Sequence, residues 1–295
     1  RFMNLRDRVV LVRLETKIPA GKKQMKEAVD AINDKYGARD AGIFSKNVFS
    51  NKFLAKVRKV KNDFAKKLRD ASLAYEKPDR MLPIESKADI DIEYAAALNE
   101  WDIALDEVEA TYAIELKERE LDLGELFDPS DYPPKEAIRS MFVFRMPPPK
   151  AIENTDDLRV LLSDEELEKV EKNFVRKYNK SLSGVWDRIE ENVSRLSDSI
   201  EKYEVVNDPT TGKSVTVHGY HQTAVDNLRN LVKVLPSLNI DNNPKLEEIA
   251  DRIETELTRY DVSELKENDR ISKNVKDSAD KILEETKDIL DGYAG

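Results

Sequence analysis

The chain has 295 residues, a net charge of −10 at pH 7 and no cysteine. The lack of cysteine excludes disulfides and thiolate metal sites, and no apolar run approaches the roughly 20 residues that span a bilayer. Hydrophobic residues make up 40% of the chain, charged residues 37% and aromatic residues only 7%, a mixture typical of helices that each bury one apolar stripe. We therefore expect a cytoplasmic protein with no membrane partner.

The first half of the chain combines strand-like and helical patterns. Residues 5–15 have an apolar, β-branched centre, which predicts a strand. Apolar side chains recur every third or fourth position in residues 22–36, 51–75 and 89–123, which predicts three helices. Residues 141–146, Met-Phe-Val-Phe-Arg-Met, predict a short strand. We expect this strand to pair with residues 5–15 and to tie the two ends of the first half together.

Prolines separate these elements. Pro78 and Pro83 bracket a predicted loop between the second and third helices. Residues 126–134 contain three prolines, which remove backbone donors and fix φ, so this segment is predicted to be irregular.

The second half begins with a capping box, in which Ser163 is the N-cap and Glu166 reaches back to it. The helix that follows is predicted to continue to about residue 203, which makes it roughly 60 Å long. Its apolar stripe runs almost unbroken to Ile200. Residues 204–218 predict a β-hairpin, and three further helices are predicted at residues 220–235, 244–260 and 264–291.

These elements predict a mainly α fold. We expect an elongated helical bundle with coiled-coil-like hairpins, a small antiparallel β element at residues 5–15 and 141–146, and a β-hairpin at residues 204–218. Two domains are predicted: a helical hairpin domain with the small β element at residues 1–150, and a long-helix bundle with the β-hairpin at residues 151–295. A helix of roughly 60 Å with one continuous apolar stripe needs partner surface, from its own chain or another. The long apolar stripe therefore predicts a homo-oligomer.

Two short motifs resemble known sites but lack their context. Thr210 to Ser214 contains the Gly-Lys-Ser ending of a phosphate-binding loop, but Asn207 replaces the first glycine and a strand-like segment follows. A turn is therefore favoured over a nucleotide site. His218 and His221 are the only histidines, and on a helix they could hold a metal together with a carboxylate. Gly219 between them favours the end of a hairpin over a metal site.

The proline-rich loop carries a further candidate site. For Asp128 and Asp131, turn-forming roles are favoured over acid–base or metal roles. With Phe127 and Tyr132 they form a candidate interaction loop. No serine lies in a nucleophile elbow, and no loop has calcium-site spacing. We therefore expect a protein that is not an enzyme and that uses no metal or cofactor.

Positive charge is concentrated in residues 46–69, where nine lysines and arginines face one acid, Asp63. On a helix, such a face could follow a phosphate backbone, with an affinity that falls as salt rises. The alternatives are a solvated face, or a face that pairs with acidic helices of the same chain or of a second copy. The candidate nucleic-acid-binding residues are Lys52, Lys56, Lys59, Lys66 and Lys67.

Several short segments together suggest a relationship to a known family. They are Lys35-Tyr36-Gly37-Ala38, Asp40-Ala41-Gly42, Leu126-Phe127-Asp128-Pro129-Ser130-Asp131-Tyr132-Pro133, Asp157-Leu158-Arg159-Val160 and Trp186-Asp187-Arg188. Through these segments, residues 5–200 resemble an uncharacterised bacteriophage and prophage protein family. The family has a Thr-Leu-Pro-Trp segment after the first long helix, where this chain has Arg80-Met81-Leu82-Pro83-Ile84. The resemblance implies a phage-related setting beside replication or recombination genes, in the host cytoplasm, and it brings no catalytic residues.

We therefore expect a non-enzymatic, phage-type helical interaction or assembly protein that self-associates and binds a protein of the phage or the host. The alternative is a nucleic-acid-binding accessory protein of phage replication or recombination that uses the basic helix at residues 51–69. An enzyme centred on Asp128 and Asp131 is the least favoured interpretation.

Overall fold

A computed structural model of the protein describes residues 8–152, 163–207, 214–218 and 222–294. Over these residues the chain is mainly α-helical with small antiparallel β elements, which confirms the predicted fold class. The helices are α1 (Lys26–Tyr36), α2 (Asn51–Asp70), α3 (Lys87–Leu123), α4 (Asp164–Glu201), α5 (Gln222–Leu238), α6 (Pro244–Arg252), α7 (Val262–Glu267) and α8 (Asp269–Ala294). The strands are β1 (Val9–Val12), β2 (Glu15–Lys17), β3 (Lys22–Gln24), β4 (Ser45–Asn47), β5 (Leu73–Ala74), β6 (Arg80–Pro83), β7 (Val143–Arg145), β8 (Glu204–Asn207) and β9 (Ser214–His218).

The chain divides into two compact units. The first unit comprises the described residues within Arg1–Val12, Arg69–Ala88 and Pro149–Gly295, and the second comprises Arg13–Leu68 and Asp89–Pro148. One junction lies close to the predicted boundary at residue 150, but two segments of the first half belong to the first unit. Nearly all of α2 and α3 lies in the second unit.

Helix α4 supplies the central apolar stripe of the first unit. Its buried side chains run from Phe174 to Ile200 and belong to one core with side chains of α5 and α8, such as Leu228 and Ile282. The capping box that begins α4 is formed as predicted, with Ser163 and Glu166 bonded to each other's backbone amides. Other elements of the same unit therefore cover the stripe that predicted self-association.

The sheet of the first unit has the order β1-β6-β5 and is antiparallel. Strand β6 lies where the prolines predicted a loop, so that prediction was wrong for residues 80–83. Pro83 is the last residue of the strand, opposite Val9, and the backbone N–H of the next residue, Ile84, donates to the carbonyl oxygen of Arg8.

The predicted pairing of residues 5–15 with residues 141–146 is only partly right. The stretch forms two strands, of which β2 pairs with β7, placing Glu15 opposite Arg145. Strand β1 pairs with β6 instead. Val9 and Val12 of β1 are buried, and β6 offers the buried apolar residues Met81 and Leu82 as neighbours, whereas β2 is polar.

In the second unit, α2 and α3 contribute facing apolar stripes. Leu54, Val57, Val60, Phe64 and Leu68 of α2 are buried, and so are Trp101, Ala104, Leu105, Val108 and Tyr112 of α3. The ring of Phe144 from β7 stacks on Trp101, with centroids 4.9 Å apart, and meets Phe64 edge-on at 5.7 Å. The three- and four-residue spacing of apolar residues also places Phe53 and Leu98 on these stripes, but Phe53 is half-buried and Leu98 is exposed.

Several predicted helix boundaries were wrong. Residues 22–24 form β3, which pairs with β4, so α1 begins only at Lys26. Helix α2 ends at Asp70 and does not reach residue 75, because β5 begins at Leu73. The helix predicted at residues 244–260 is α6 followed by a π-helical turn at Ile253–Leu257, and residues 264–291 are divided between α7 and α8.

The predicted hairpin at residues 204–218 is present as the antiparallel pair β8 and β9. His218 ends β9, whereas His221, Asp157 to Val160 and residues 210–213 of the Gly-Lys-Ser motif lie outside the described residues. Within the described part of the chain, no helix is both long enough and apolar enough to span a bilayer.

Candidate functional site

The five candidate lysines of the basic helix α2 are exposed, and Lys56, Lys59 and Lys67 among them face carboxylates of their own unit. Lys56 forms an ion pair with Glu107 of α3, and Lys67 forms one with Glu93 of the same helix. Lys59 Nζ lies 2.6 Å from Asp63 Oδ2 within α2. Lys52 and Lys66 are also exposed. Two of the five candidate lysines, Lys56 and Lys67, therefore pair with the acidic helix α3 of the same chain.

Lys46, which the sequence places in the same positive segment, is buried. Only 3% of the residue is exposed, and its Nζ donates a 2.7 Å hydrogen bond to the carbonyl oxygen of Leu126. The same Nζ lies 2.6 Å from Oδ2 of Asp131, whose side chain is 4% exposed. Lys23 of β3 binds Oδ1 of that carboxylate. The charge count of residues 46–69 thus overstates the positive charge at the surface.

The candidate interaction loop is held in place by hydrogen bonds and ion pairs with other residues of the second unit. Asp128 Oδ1 accepts a 2.9 Å hydrogen bond from the backbone N–H of Ser130, which lowers the pKa of Asp128 and gives it the favoured turn-forming role. Burial alone would raise the pKa of Asp131, but the hydrogen bonds from Lys23 and Lys46 outweigh it and lower the pKa. Both carboxylates therefore have structural partners.

The two aromatic residues of this loop also pack inwards. Tyr132 stacks on Phe127 with ring centroids 5.1 Å apart and meets Phe49 edge-on at 5.7 Å. Burial raises the pKa of the Tyr132 phenol to about 12. The loop residues lie together, and their side chains contact each other, Lys23 of β3, Lys46 of β4 and Phe49.

Helix α3 carries a feature that the sequence interpretation missed. Ile92, Ile103, Ile114 and Leu121 are 68%, 58%, 59% and 84% exposed. Ile92, Ile103 and Ile114 are spaced by eleven residues, about three helical turns, and Leu121 follows seven residues later, so all four lie on one side of the helix. Ala96 and Ala110 lie on the same side and are exposed. We call this surface the exposed α3 face.

The exposed α3 face lies opposite the buried one. Ile103 is two residues from both Trp101 and Leu105, which are buried, and two residues correspond to about 200° around a helix axis. A helix that is apolar on two opposite sides is unusual for a surface position, where one side normally meets water. The sequence signal was the eleven-residue spacing of the three isoleucines.

Carboxylates flank the exposed α3 face on both sides. Helix α3 contains twelve acids and three bases, a net charge of −9, whereas α2 carries +6. On one flank, Arg139 binds three acids, with its guanidinium 3.0 Å from Asp102, 2.7 Å from Asp106 and 3.3 Å from Glu109. The other flank contains Glu93, Glu100, Glu107 and Glu118.

A second helix of this unit is also poorly covered. Helix α1 has no buried residue, and Ile32 and Tyr36 on it are 39% and 71% exposed. It ends at Tyr36, as predicted, and the next residue is Gly37, whose φ of 61° suits glycine. An isolated helix of eleven residues is marginally stable in water. Helix α1 would therefore be stabilised if a partner covered Ile32 and Tyr36.

In the first unit, a groove of about 800 Å³ lies beside α4 and is lined by side chains such as Glu168, Lys172 and Arg176. Glu168 and Lys172 form an ion pair, with Oε1 and Nζ 2.7 Å apart, and the groove is open to solvent. Within the described ranges, no group of three or more histidines, aspartates or glutamates is placed to hold a metal ion.

Comparison of the chain with models of protein families, with curated proteins and with solved structures finds no match.

Proposed function

We propose that this chain is a non-enzymatic interaction protein that binds another protein chain through the exposed α3 face. The observation that carries the proposal is the row of four large apolar side chains, each more than half exposed, on a helix whose other side is already packed. Exposed apolar surface that continues over many turns and is rimmed by charge marks interaction sites. The phage-related setting implied by the sequence resemblance remains part of this proposal, as a source of partners.

The size of the face suits a transient partner. From Ile92 to Leu121 it extends about 44 Å, and a strip about 12 Å wide along that length covers on the order of 500 Å². A stable interface buries about 800 Å² on each partner, so a face of this size supports reversible binding.

Nucleic-acid binding through α2 has less support. Lys56 and Lys67 are paired with α3, and the carboxylates of α3 repel a phosphate backbone that approaches them. Self-association stays within the proposal, because a second copy is one protein that the exposed α3 face could bind.

Site-specific photo-crosslinking tests the proposal. We expect a benzophenone amino acid at position 103, in cells that naturally encode the chain, to give discrete protein adducts. The matched control is position 43, because Ile43 is an isoleucine of the same unit that is 79% exposed. Equal adducts at both positions, or none at position 103, would contradict the proposal. Adducts with nucleic acid alone would favour the alternative.

A further inference from the structure

The charges beside the exposed α3 face restrict what it binds. We infer that its occupant is a helix of another protein, with an apolar stripe flanked by lysines and arginines. This inference rests on the proposed function and deepens it, because it assigns the chemistry of the partner.

The shape of the face fits a helix. Its apolar side chains form a straight row along α3, and a partner helix can place apolar residues at every third or fourth position against such a row. Asn99 and Lys117 lie within the row, so the contact is not continuously apolar. A partner with a few polar positions in its own stripe suits that pattern.

The electrostatics require a positively charged partner. Ten carboxylates of α3 flank the row, whereas the whole helix carries only three basic residues. The cations placed on these carboxylates include Lys56, Lys67 and Arg139. The flanking carboxylates are Asp89, Asp91, Glu93, Glu100, Asp102, Asp106, Glu107, Glu109, Glu118 and Glu120. The flanks therefore keep a net negative charge, which attracts cationic partners and repels anionic ones.

A second copy of the chain fits this surface poorly. Two α3 helices packed face to face would bring their acidic flanks together, and the repulsion between these carboxylates would destabilise the pair. Helix α2 has the right charge, but its apolar stripe is buried in its own unit, so a second copy cannot offer it. Anionic membranes and nucleic acids are repelled by the same carboxylates.

Designed peptides test the inference with the full-length protein. The probe is a fluorescent, helix-forming peptide of about 24 residues, long enough to cover about 36 Å, with a leucine stripe and lysine flanks. A second peptide has glutamate flanks, and a third contains the residues of the first in scrambled order. Fluorescence anisotropy measures binding in 50 mM and 300 mM salt.

We expect the lysine-flanked peptide to bind in the micromolar range, and at least tenfold more tightly than either control peptide. The double substitution Ile103→Asp with Ile114→Asp should weaken its binding at least tenfold, whereas Ile43→Asp should leave it unchanged. Circular dichroism verifies that each variant keeps its helical content. Binding that weakens at 300 mM salt supports the role of the carboxylates.

Four results would overturn the inference. If the lysine-flanked peptide binds the double variant as tightly as the unmodified protein, charge alone attracts it. If the glutamate-flanked peptide binds as tightly as the lysine-flanked peptide, the carboxylates of α3 do not select among partners. Absence of peptide binding, together with adducts from position 103 to an acidic protein or to a second copy, would overturn the inference and leave the proposed function intact. Absence of adducts at position 103 would overturn both.

Discussion

The substitution Lys46→Met separates a buried structural lysine from the exposed lysines of the same sequence segment. Methionine retains the apolar stem of the side chain and removes the ammonium group. In the folded protein that group donates to the Leu126 carbonyl at 2.7 Å and lies 2.6 Å from the Asp131 carboxylate. The variant leaves a partly buried carbonyl without this donor and a buried carboxylate with Lys23 as its remaining cation.

The expected cost follows from these two contacts. A buried acceptor left unsatisfied costs about 1–3 kcal/mol, and breaking one side of a buried ion pair costs about 3–5 kcal/mol. Because Lys23 still binds Asp131, we take the lower end of the range for the broken ion pair and expect a loss of about 3 kcal/mol in the free energy of unfolding. The double variant with Asp131→Asn should lose less than the sum of the two single variants, because the pair is coupled.

Tryptophan fluorescence can follow the second unit alone. The chain has two tryptophans, Trp101 in the second unit and Trp186 in the first. In a Trp186→Phe background, urea unfolding monitored by fluorescence therefore reports the surroundings of Trp101. The matched control is Lys52→Met, which removes an exposed lysine from α2 and should change stability by no more than about 0.5 kcal/mol. A loss for Lys46→Met no larger than that of the control would refute the reasoning.

Three further predictions rest on other contacts. The pKa of Asp131 is lowered in the folded state. The stabilising contribution of this carboxylate is therefore present above the pKa of an unfolded aspartate, about 3.9, and is lost as pH falls through the lower folded pKa. Acid titration followed by Trp101 fluorescence should show this loss of stability, and Asp131→Asn should remove the pH dependence. The Arg188 guanidinium donates to the backbone carbonyls of Arg69 and Asp70 at the C-terminal end of α2 and to that of Ser72 just after it. Arg188→Ala should therefore cost about 2 kcal/mol in urea unfolding, and an unchanged midpoint would contradict this role. Ile103→Asp should change stability by less than about 0.5 kcal/mol by the same measurement, because the side chain is exposed, and a loss above about 2 kcal/mol would show that the face is packed in the folded chain.

The main helices could be predicted from the sequence because their stripes are local patterns. Leu105, Val108 and Tyr112 follow one another at three- and four-residue spacing, and Ser163 with Glu166 marks the start of α4 within four residues. Strands β5 and β6 could not be predicted in this way. Two to four residues are too few to show an alternating pattern. Strand β6 also pairs with β1, which lies more than 60 residues earlier in the chain.

The burial of Lys46 was hidden for a related reason. A lysine in a basic segment is normally solvated, and only the fold brings Asp131 and the Leu126 carbonyl, about 80 residues later, to its side chain. The exposed α3 face could not be recognised from the sequence of its helix. Apolar residues on both sides of α3 obscure the usual contrast between an apolar and a polar side, so the isoleucines were not distinguished from the core.

The ion pairs between α2 and α3 set a limit on what a cationic occupant can gain. Lys56 and Lys67 already bind Glu107 and Glu93, so an incoming lysine at either carboxylate replaces an existing exposed pair instead of adding one. Exposed pairs contribute about 0.2–1 kcal/mol each, and an exchange of one for another contributes less. Most of the affinity must therefore come from burying the isoleucine row, while the charges select among partners that offer a similar stripe. Charge reversal in the partner should consequently abolish binding more completely than removal of any single lysine.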